Sequence, residues 1–249
     1  MTKQQQYDFY HKTNGLIYGL WIIGIICLAA SLILFFNIWW PYLQVLSLPI
    51  ILLSANLFIG GLVARKVISA DYMTLPLVDL FSSSDDLVLD AGCGAGRVTI
   101  ELGKVLKNGQ IVALDLFDPK VDSMSGGKDL LEKNLEIAGI SNSVRIVQGD
   151  VTNLEFEDNN FDSAVSALLL NNLGPAKLFG LKELFRVLKP GGKLLVIVPV
   201  PGIHTFAVMS VFSLLMTSSK EWISLFDQAG FRLLEEGDIN FGKYFLLEK

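Results

Sequence analysis

The sequence predicts an α/β protein: a doubly wound, mostly parallel sheet with an antiparallel last strand, preceded by a two-helix transmembrane hairpin. Three observations predict it. From Leu87 onward, short apolar runs alternate with amphipathic stretches of helical length, the pattern of a parallel sheet with helices on both faces. The first of these runs ends in a glycine-rich turn, Asp90-Ala91-Gly92-Cys93-Gly94-Ala95-Gly96. Upstream, Thr13 to Ala64 contains no Asp, Glu, Lys or Arg.

Composition agrees. Of 249 residues, 51% are hydrophobic and 18% charged, whereas about a quarter of a soluble domain is usually charged. Mean hydropathy is +0.48, and the charge-free block accounts for it. The net charge of −5 and the lack of any Lys/Arg run leave no surface to neutralise phosphates. No nucleic acid is therefore expected as a partner. Cys27 lies in the apolar block and Cys93 in the glycine turn, which makes them poor disulfide partners. No His/Cys spacing suggests a metal.

The chain opens with a short polar segment, Met1 to Asn14, carrying Lys3 and Lys12. Gly15 to Phe36 is continuously apolar, long enough to cross a bilayer at about 20 residues per span. Asn37-Ile38-Trp39-Trp40-Pro41-Tyr42 breaks the run with residues that favour an interface and a turn. A second run, residues 42–64, is interrupted mildly by Gln44, Pro49 and Asn56 and is closed by Arg65 and Lys66. Basic residues flank the outer ends and none occupies the loop. The positive-inside rule then places both termini and the following domain in the cytoplasm, with the lipid bilayer as a partner and the cytoplasmic membrane as the location. The competing reading is a cleaved signal peptide plus a core helix. The first run is longer than a signal's apolar region, and no A-x-A site follows it. Asn56 is read as a helix–helix hydrogen-bonding group rather than a functional one. Residues 65–86 are either an amphipathic elbow on the membrane or a first helix against the domain, and periodicity does not decide.

The domain is expected over residues 87–249. Leu87 to Ala91 is the first strand, and a helix opens at Arg97. Further strands are expected at Gln110–Asp115, Val144–Gln148, Phe161–Ala167 and Lys193–Val198. Lys128–Ala138 and Ala176–Leu188 read as helices, the latter stopped by Lys189-Pro190-Gly191-Gly192. Ser219–Ala229 has a Ser cap and Gly230 as its stop. Phe231–Glu236 and Tyr244–Glu248 close the sheet.

A strand, a glycine turn and a helix N-terminus together make a nucleotide-type ligand site. The spacing is G-x-G-x-G, and Arg97 stands where the dinucleotide fingerprint wants its third glycine. Asp115 ends the second strand nineteen positions beyond Gly96. A carboxylate there can accept both ribose hydroxyls of an adenosyl group, and Leu116 and Phe117 can cover the adenine face. Gly149-Asp150-Val151 follows the third strand.

This order of motifs resembles the class I (Rossmann-like) S-adenosylmethionine (SAM) dependent methyltransferases over about Leu87–Val198. The resemblance implies SAM as cofactor, held by Asp90, Ala91, Gly92, Cys93, Gly94, Gly96, Asp115, Leu116, Phe117, Gly149, Asp150 and Val151. It implies that Asp150 accepts from the adenine amino group, that Val151 packs on the ring, and that Asp90 orients the methionine amino end. Ser125-Gly126, Asn134 and Ala138-Gly139-Ile140 narrow the likeness to microbial membrane-anchored methyltransferases of unsettled substrate. Those carry S-S-L-A-I-H-N-I where this chain reads Ser166-Ala167-Leu168-Leu169-Leu170-Asn171-Asn172-Leu173. Asn171 stands in the histidine place, so a base role does not transfer.

Methyl transfer from a sulfonium needs positioning above all. Candidates near the ends of the fourth and fifth strands are Asn171 and Asn172, to orient the acceptor, and His204, as a base. The uncharged stretch Phe206–Met216 is either a core helix or an apolar lid that dips into the membrane. With the hairpin it points to a hydrophobic, lipid-like acceptor. The alternatives are a soluble thiol, amine or oxyanion acceptor, or a SAM-binding regulatory protein without catalysis.

Overall fold

The structure, a computed structural model, describes residues 7, 13–36, 40–68, 75–76, 79–106, 108–118, 127–239 and 242–249. The expected features at Lys3, Lys12, 37–39, 69–74, 77–78 and Ser125-Gly126 lie outside the described residues. The chain forms two compact units. One comprises Met1–His11, Asp71–Val200 and Thr217–Lys249, the other Lys12–Ala70 and Pro201–Met216.

The first unit is built on seven strands: β1 (Leu87–Ala91), β2 (Gln110–Asp115), β3 (Val144–Gln148), β4 (Phe161–Ala167), β5 (Leu188–Pro199), β6 (Arg232–Ile239) and β7 (Gly242–Glu248). Their order is β3-β2-β1-β4-β5-β7-β6. The first five pair in parallel, and β7 runs antiparallel between β5 and β6. This is the doubly wound, Rossmann-like sheet that the alternation implied. Both faces are covered, so the central strands are apolar at nearly every position. Leu89, Ala91, Val112 and Leu114 face helices α5 (Lys177–Val187) and α7 (Ser219–Ala229) through Leu181, Leu184, Trp222 and Phe226. Val88, Ile111, Val165 and Leu195 face α3 (Arg97–Val105) through Val98 and Leu102. Ala113 meets α4 (Gly127–Ala138) at Leu131 and Leu135.

Local chemistry sets the boundaries. Helix α7 starts on a capping box, with the Ser218 hydroxyl accepting from Glu221 N and the Glu221 carboxylate from Ser218 N. It ends at Gly230, whose φ of +100° suits glycine. Strand β5 begins earlier than the expected Lys193. Leu188 already pairs with Phe161, and the ladder then shifts to Ser163 opposite Lys193. Residues Lys189-Pro190-Gly191-Gly192, expected as the helix stop, thus lie in a bulge inside the strand. Asp162 fastens this bulge: it takes an ion pair from Lys189 and a backbone bond from Leu87 N at 2.9 Å. The closing strands are longer than expected because the β5–β7 ladder continues to Pro199 opposite Gly242.

One side chain ties an irregular segment to this frame. Arg186 on α5 donates to the carbonyls of Leu154 and Phe156 and to the carboxylates of Glu183 and Asp158, all at 2.7–2.9 Å. Glu183 in turn accepts from Leu154 N at 2.8 Å. The Arg186 guanidinium holds the Glu183 carboxyl below its usual range.

The second unit contains α1 (Thr13–Phe35), a 3-10 turn at Pro41–Leu46, α2 (Ser47–Ile68), α6 (Ile203–Met209) and a 3-10 segment at Ser210–Leu215. Pro41 opens the turn at the first helical position, where its missing N–H costs nothing. Helices α1 and α2 pack through small residues. Ser54 Oγ donates to Gly24 O and Ser31 Oγ to Ser47 O, both at 2.8 Å. A Cβ placed on Gly61 would lie 2.1 Å from Trp21 Nε1, so only glycine admits that indole. The outward side chains are apolar: Ile22, Ile26, Ile33 and Phe35 on one helix, Leu48, Leu52 and Leu62 on the other. Residues 206–216 do not enter the sheet's core; they group with α2.

Replacing Arg186 by Met keeps the aliphatic stem but strands two backbone carbonyls. Denaturant unfolding of the detergent-solubilised chain is expected to show a loss of about 1–3 kcal/mol.

Candidate functional site

The glycine turn joins the end of β1 to the start of α3. Gly92, Gly94 and Gly96 have φ of +82°, +50° and +87°, a left-handed run that L side chains resist. Gly92 N and Cys93 N both donate to Leu114 O, at 2.8 and 3.1 Å, so the turn hangs from the end of β2. Gly96 N closes back on Cys93 O at 2.8 Å, and α3 then begins at Arg97 with no side-chain cap. Burial pushes Arg97 down to about 10.

Asp115 is the centre of this arrangement. One carboxylate oxygen accepts from Gly94 N at 2.8 Å and the other from Phe117 N at 3.3 Å. Its own carbonyl accepts from Gly149 N at 2.9 Å, which links the ends of β2 and β3. Phe117 takes a φ of +47°, a strained choice for an aromatic residue and one that clusters at functional sites. Leu116 beside it is exposed.

Asp90 lies beneath the turn with no exposed surface. Its Oδ2 accepts from Thr99 Oγ1 at 2.6 Å, while Oδ1 is buried without a partner among the described residues. Burial, with the Asp115 charge adding to it, pushes the Asp90 carboxyl up to about 7 against the Thr99 hydrogen bond. A carboxyl so placed is prepared to receive a cationic or donor group.

Asp150 caps the turn after β3: its Oδ1 accepts from Thr152 N and Thr152 Oγ1, both at 2.8 Å. Its neighbour Val151 is buried in the main core. Asn171 and Asn172 lie in the 3-10 segment Leu170–Ala176 that follows β4. Asn171 Nδ2 donates to Asn172 Oδ1 at 2.8 Å, and Asn172 Nδ2 to Leu168 O at 3.1 Å. Asn171 Oδ1 is buried without a partner among the described residues. The structure therefore joins Asp90, the glycine turn and Asp115, and separately joins the two asparagines. His204 belongs to the other unit, exposed on α6.

Two residues here, Asn134 and Leu168, enter the sequence reading only through the resemblance, with no structural role. Asn134 on α4, fully buried, donates to Ala95 O at 2.9 Å and so fixes the turn from the far side. A lone Asn in an otherwise apolar helix face was the available signal. Leu168, at the end of β4, has a φ of +61°, which composition does not reveal.

Comparison with known proteins agrees with this geometry. Residues 89–196 match the family described as a methyltransferase domain. The chain is 33% identical over 175 residues to a demethylmenaquinone methyltransferase of Staphylococcus haemolyticus, covering 59% of this chain and 69% of that one. The chain belongs to the class I SAM-dependent methyltransferases. A Staphylococcus aureus demethylmenaquinone methyltransferase is 32% identical over 170 residues, covering 60% of this chain and 66% of the relative. Among solved structures, a SAM-dependent methyltransferase from Methanosarcina mazei superposes with a TM-score of 0.58 at 20% identity, covering 71% of this chain and 98% of that one. One from Aquifex aeolicus gives 0.55 at 20% identity, covering 74% and 96%. These two likenesses concern the fold. The methyltransferase is an enzyme that takes its methyl group from SAM.

The raised Asp90 value makes a pH prediction for the ligand-free methyltransferase. A folded value of about 7 exceeds the unfolded one, about 3.9. The native state therefore binds more protons between them, and this contribution to stability is lost as pH rises from about 4 to 7. Asp90→Asn is expected to flatten that decline in a series of melting curves.

Proposed function

We propose that this chain is a membrane-anchored methyltransferase that moves the methyl group of SAM to a hydrophobic, lipid-like acceptor of the quinone type. The observation that carries the reading is the solvent preference of the apolar helices. The two candidate spans, Ile17–Phe35 and Pro41–Arg65, are only 17% and 22% buried. The core helix of a soluble protein would be mostly covered. Here the large apolar side chains face outward along both helices, and lipid is the solvent that suits them. The relatives named demethylmenaquinone methyltransferase support an acceptor that resides in the bilayer.

In this reading the chain divides into a cytoplasmic segment 1–14, a transmembrane hairpin 15–64, a linker 65–86 and a catalytic domain 87–249. Arg65 at the end of α2 favours a cytoplasmic domain in the cytoplasmic membrane.

SAM, when bound, supplies a methyl carbon made electrophilic by a sulfonium, and the protein's task is to hold and orient. The residues fit such a ligand. Asp90, buried beneath the turn with Oδ1 unpartnered, would orient the methionine amino end through water or backbone, and the ammonium charge would favour its ionised form. Ala91, Gly92, Cys93, Gly94 and Gly96 bring the backbone close. Asp115 would accept from the ribose hydroxyls, Leu116 and Phe117 would cover the adenine face, and Gly149, Asp150 and Val151 would hold the base, Asp150 by accepting from its amino group and Val151 by packing on the ring. Asn171, with an unpartnered buried oxygen and an amide fixed by Asn172, orients the acceptor and takes no proton. His204, exposed on α6, is the candidate base should the acceptor carry a proton.

Two outcomes check the reading. Calorimetric titration is expected to show SAM binding that weakens at least about tenfold in Asp115→Ala, the equivalent of about 1.4 kcal/mol. Unchanged affinity would remove Asp115 from the site. With a demethylated isoprenoid quinone in vesicles, the initial rate is expected to fall on dilution with inert lipid at constant bulk concentration. A rate that ignores lipid dilution would favour a water-borne acceptor.

A further inference from the structure

The stretch between β5 and α7 is inside out by the standards of a protein in water. From Pro201 to Ser219 it holds no Asp, Glu, Lys or Arg. Two of its hydroxyl side chains point inward, Thr205 and Ser213 being 2% and 1% exposed, while His204 near the start of α6 is exposed. Each satisfies a local carbonyl, Thr205 Oγ1 donating to Gly202 O at 3.0 Å and Ser213 Oγ to Ser210 O at 2.8 Å. Its large apolar side chains point outward: Ile203, Phe212, Leu214 and Leu215 are 81%, 65%, 68% and 83% exposed. Water rewards the opposite arrangement, whereas a hydrocarbon solvent demands satisfied polar groups inside and tolerates apolar groups outside.

The stretch is also docked, and on a helix of span length. A Cβ on Gly60 of α2 would lie 2.2 Å from Ala207 O, so the two backbones touch and only glycine permits it. One turn earlier, Asn56 Nδ2 donates to Phe206 O at 3.4 Å. That carbonyl also accepts from Ser210 N, where a φ of +53° ends α6. The asparagine expected to bond between helices thus does so, to a helix 150 residues away in sequence and not to the other half of the hairpin.

We infer that Ile203–Leu215 is a third membrane-embedded element: a short re-entrant segment that seats on α2 at Asn56 and Gly60 and presents Ile203, Phe212, Leu214 and Leu215 to lipid acyl chains. Helix α6 has seven residues and rises only about 10 Å, far short of the bilayer's hydrocarbon core of about 30 Å. It therefore enters and leaves on one side. The occupant of its apolar face is lipid because that face continues the outward apolar surface of α2 within one compact unit. The inference rests on the hairpin being in the membrane, and it adds that the chain re-enters the bilayer directly after Pro199, the carboxyl end of β5.

Site-directed spin labelling of the full chain in phosphatidylcholine–phosphatidylglycerol vesicles tests this. In a Cys27→Ser, Cys93→Ala background, single labels go at Phe212→Cys and Leu215→Cys. Ile33→Cys on α1 serves as the lipid reference and Lys133→Cys on α4 as the aqueous reference. Relaxation by dissolved oxygen relative to an aqueous nickel chelate is expected to be several-fold higher at residues 212 and 215 than at 133, close to the value at 33. Nickel-dominated relaxation at 212 and 215 with oxygen-dominated relaxation at 33 would overturn the re-entrant segment and leave the anchor standing. Nickel-dominated relaxation at 33 as well would overturn both.

Discussion

Asp115 holds two loops at once. Its carboxylate receives Gly94 N from the glycine turn and Phe117 N from the loop beyond β2, and its carbonyl receives Gly149 N from the end of β3. Three strand ends are thereby locked to a single residue. The turn can then adopt its run of positive φ angles without collapsing, α3 can start at Arg97, and Asp90 can stay buried under the turn with one oxygen unpartnered. The two carboxylates are coupled by charge, since Asp115 adds to the rise in the Asp90 value. A ligand that brings a positive charge and hydroxyl donors relieves both. That is the physical sense in which the site suits SAM.

The two units obey opposite rules, as the proposed reading of one unit in water and one in lipid requires. In the sheet unit the strands are apolar on both faces and the helices are capped, stopped and laced by ion pairs such as the Arg186 cluster. In the hairpin unit, serines and a threonine are buried while isoleucines, leucines and phenylalanines are exposed. Contact between its helices depends on small residues, Gly24, Gly60 and Gly61, because apolar packing gains little when the competing solvent is equally apolar. An enzyme whose acceptor resides in a bilayer needs both rules in one chain.

Much of this was legible from the residues alone. The alternation after Leu87, the Asp-Gly turn, Asp115 and Gly149-Asp150 sit at strand ends in the order expected, because a parallel sheet writes its strands as apolar runs and its ligand loops at their carboxyl ends. The Ser218 cap and Gly230 stop were local signals and were read locally. What was missed depends on contacts distant in sequence. Nothing near Asn134 announces that it holds Ala95 O, and nothing near Arg186 announces two carbonyls some thirty residues upstream. The stretch 206–216 looked equally like core or lid because a sequence that is apolar all round carries no stripe. Its partner, Gly60, lies about 150 residues away. Proline and glycine at Lys189–Gly192 mark the helix stop, but only the register with β4 reveals the bulge inside β5.

On the proposed reading, a methyl group passes from a water-soluble donor bound at the glycine turn to an acceptor dissolved in lipid. The most direct test is to incubate the full chain, reconstituted with bacterial lipid extract, with methyl-labelled SAM and then to partition the products between organic and aqueous phases. The account predicts label in the organic phase that depends on the protein and disappears in Asp115→Ala. Label confined to water-soluble products, with the lipid phase unlabelled, would contradict it.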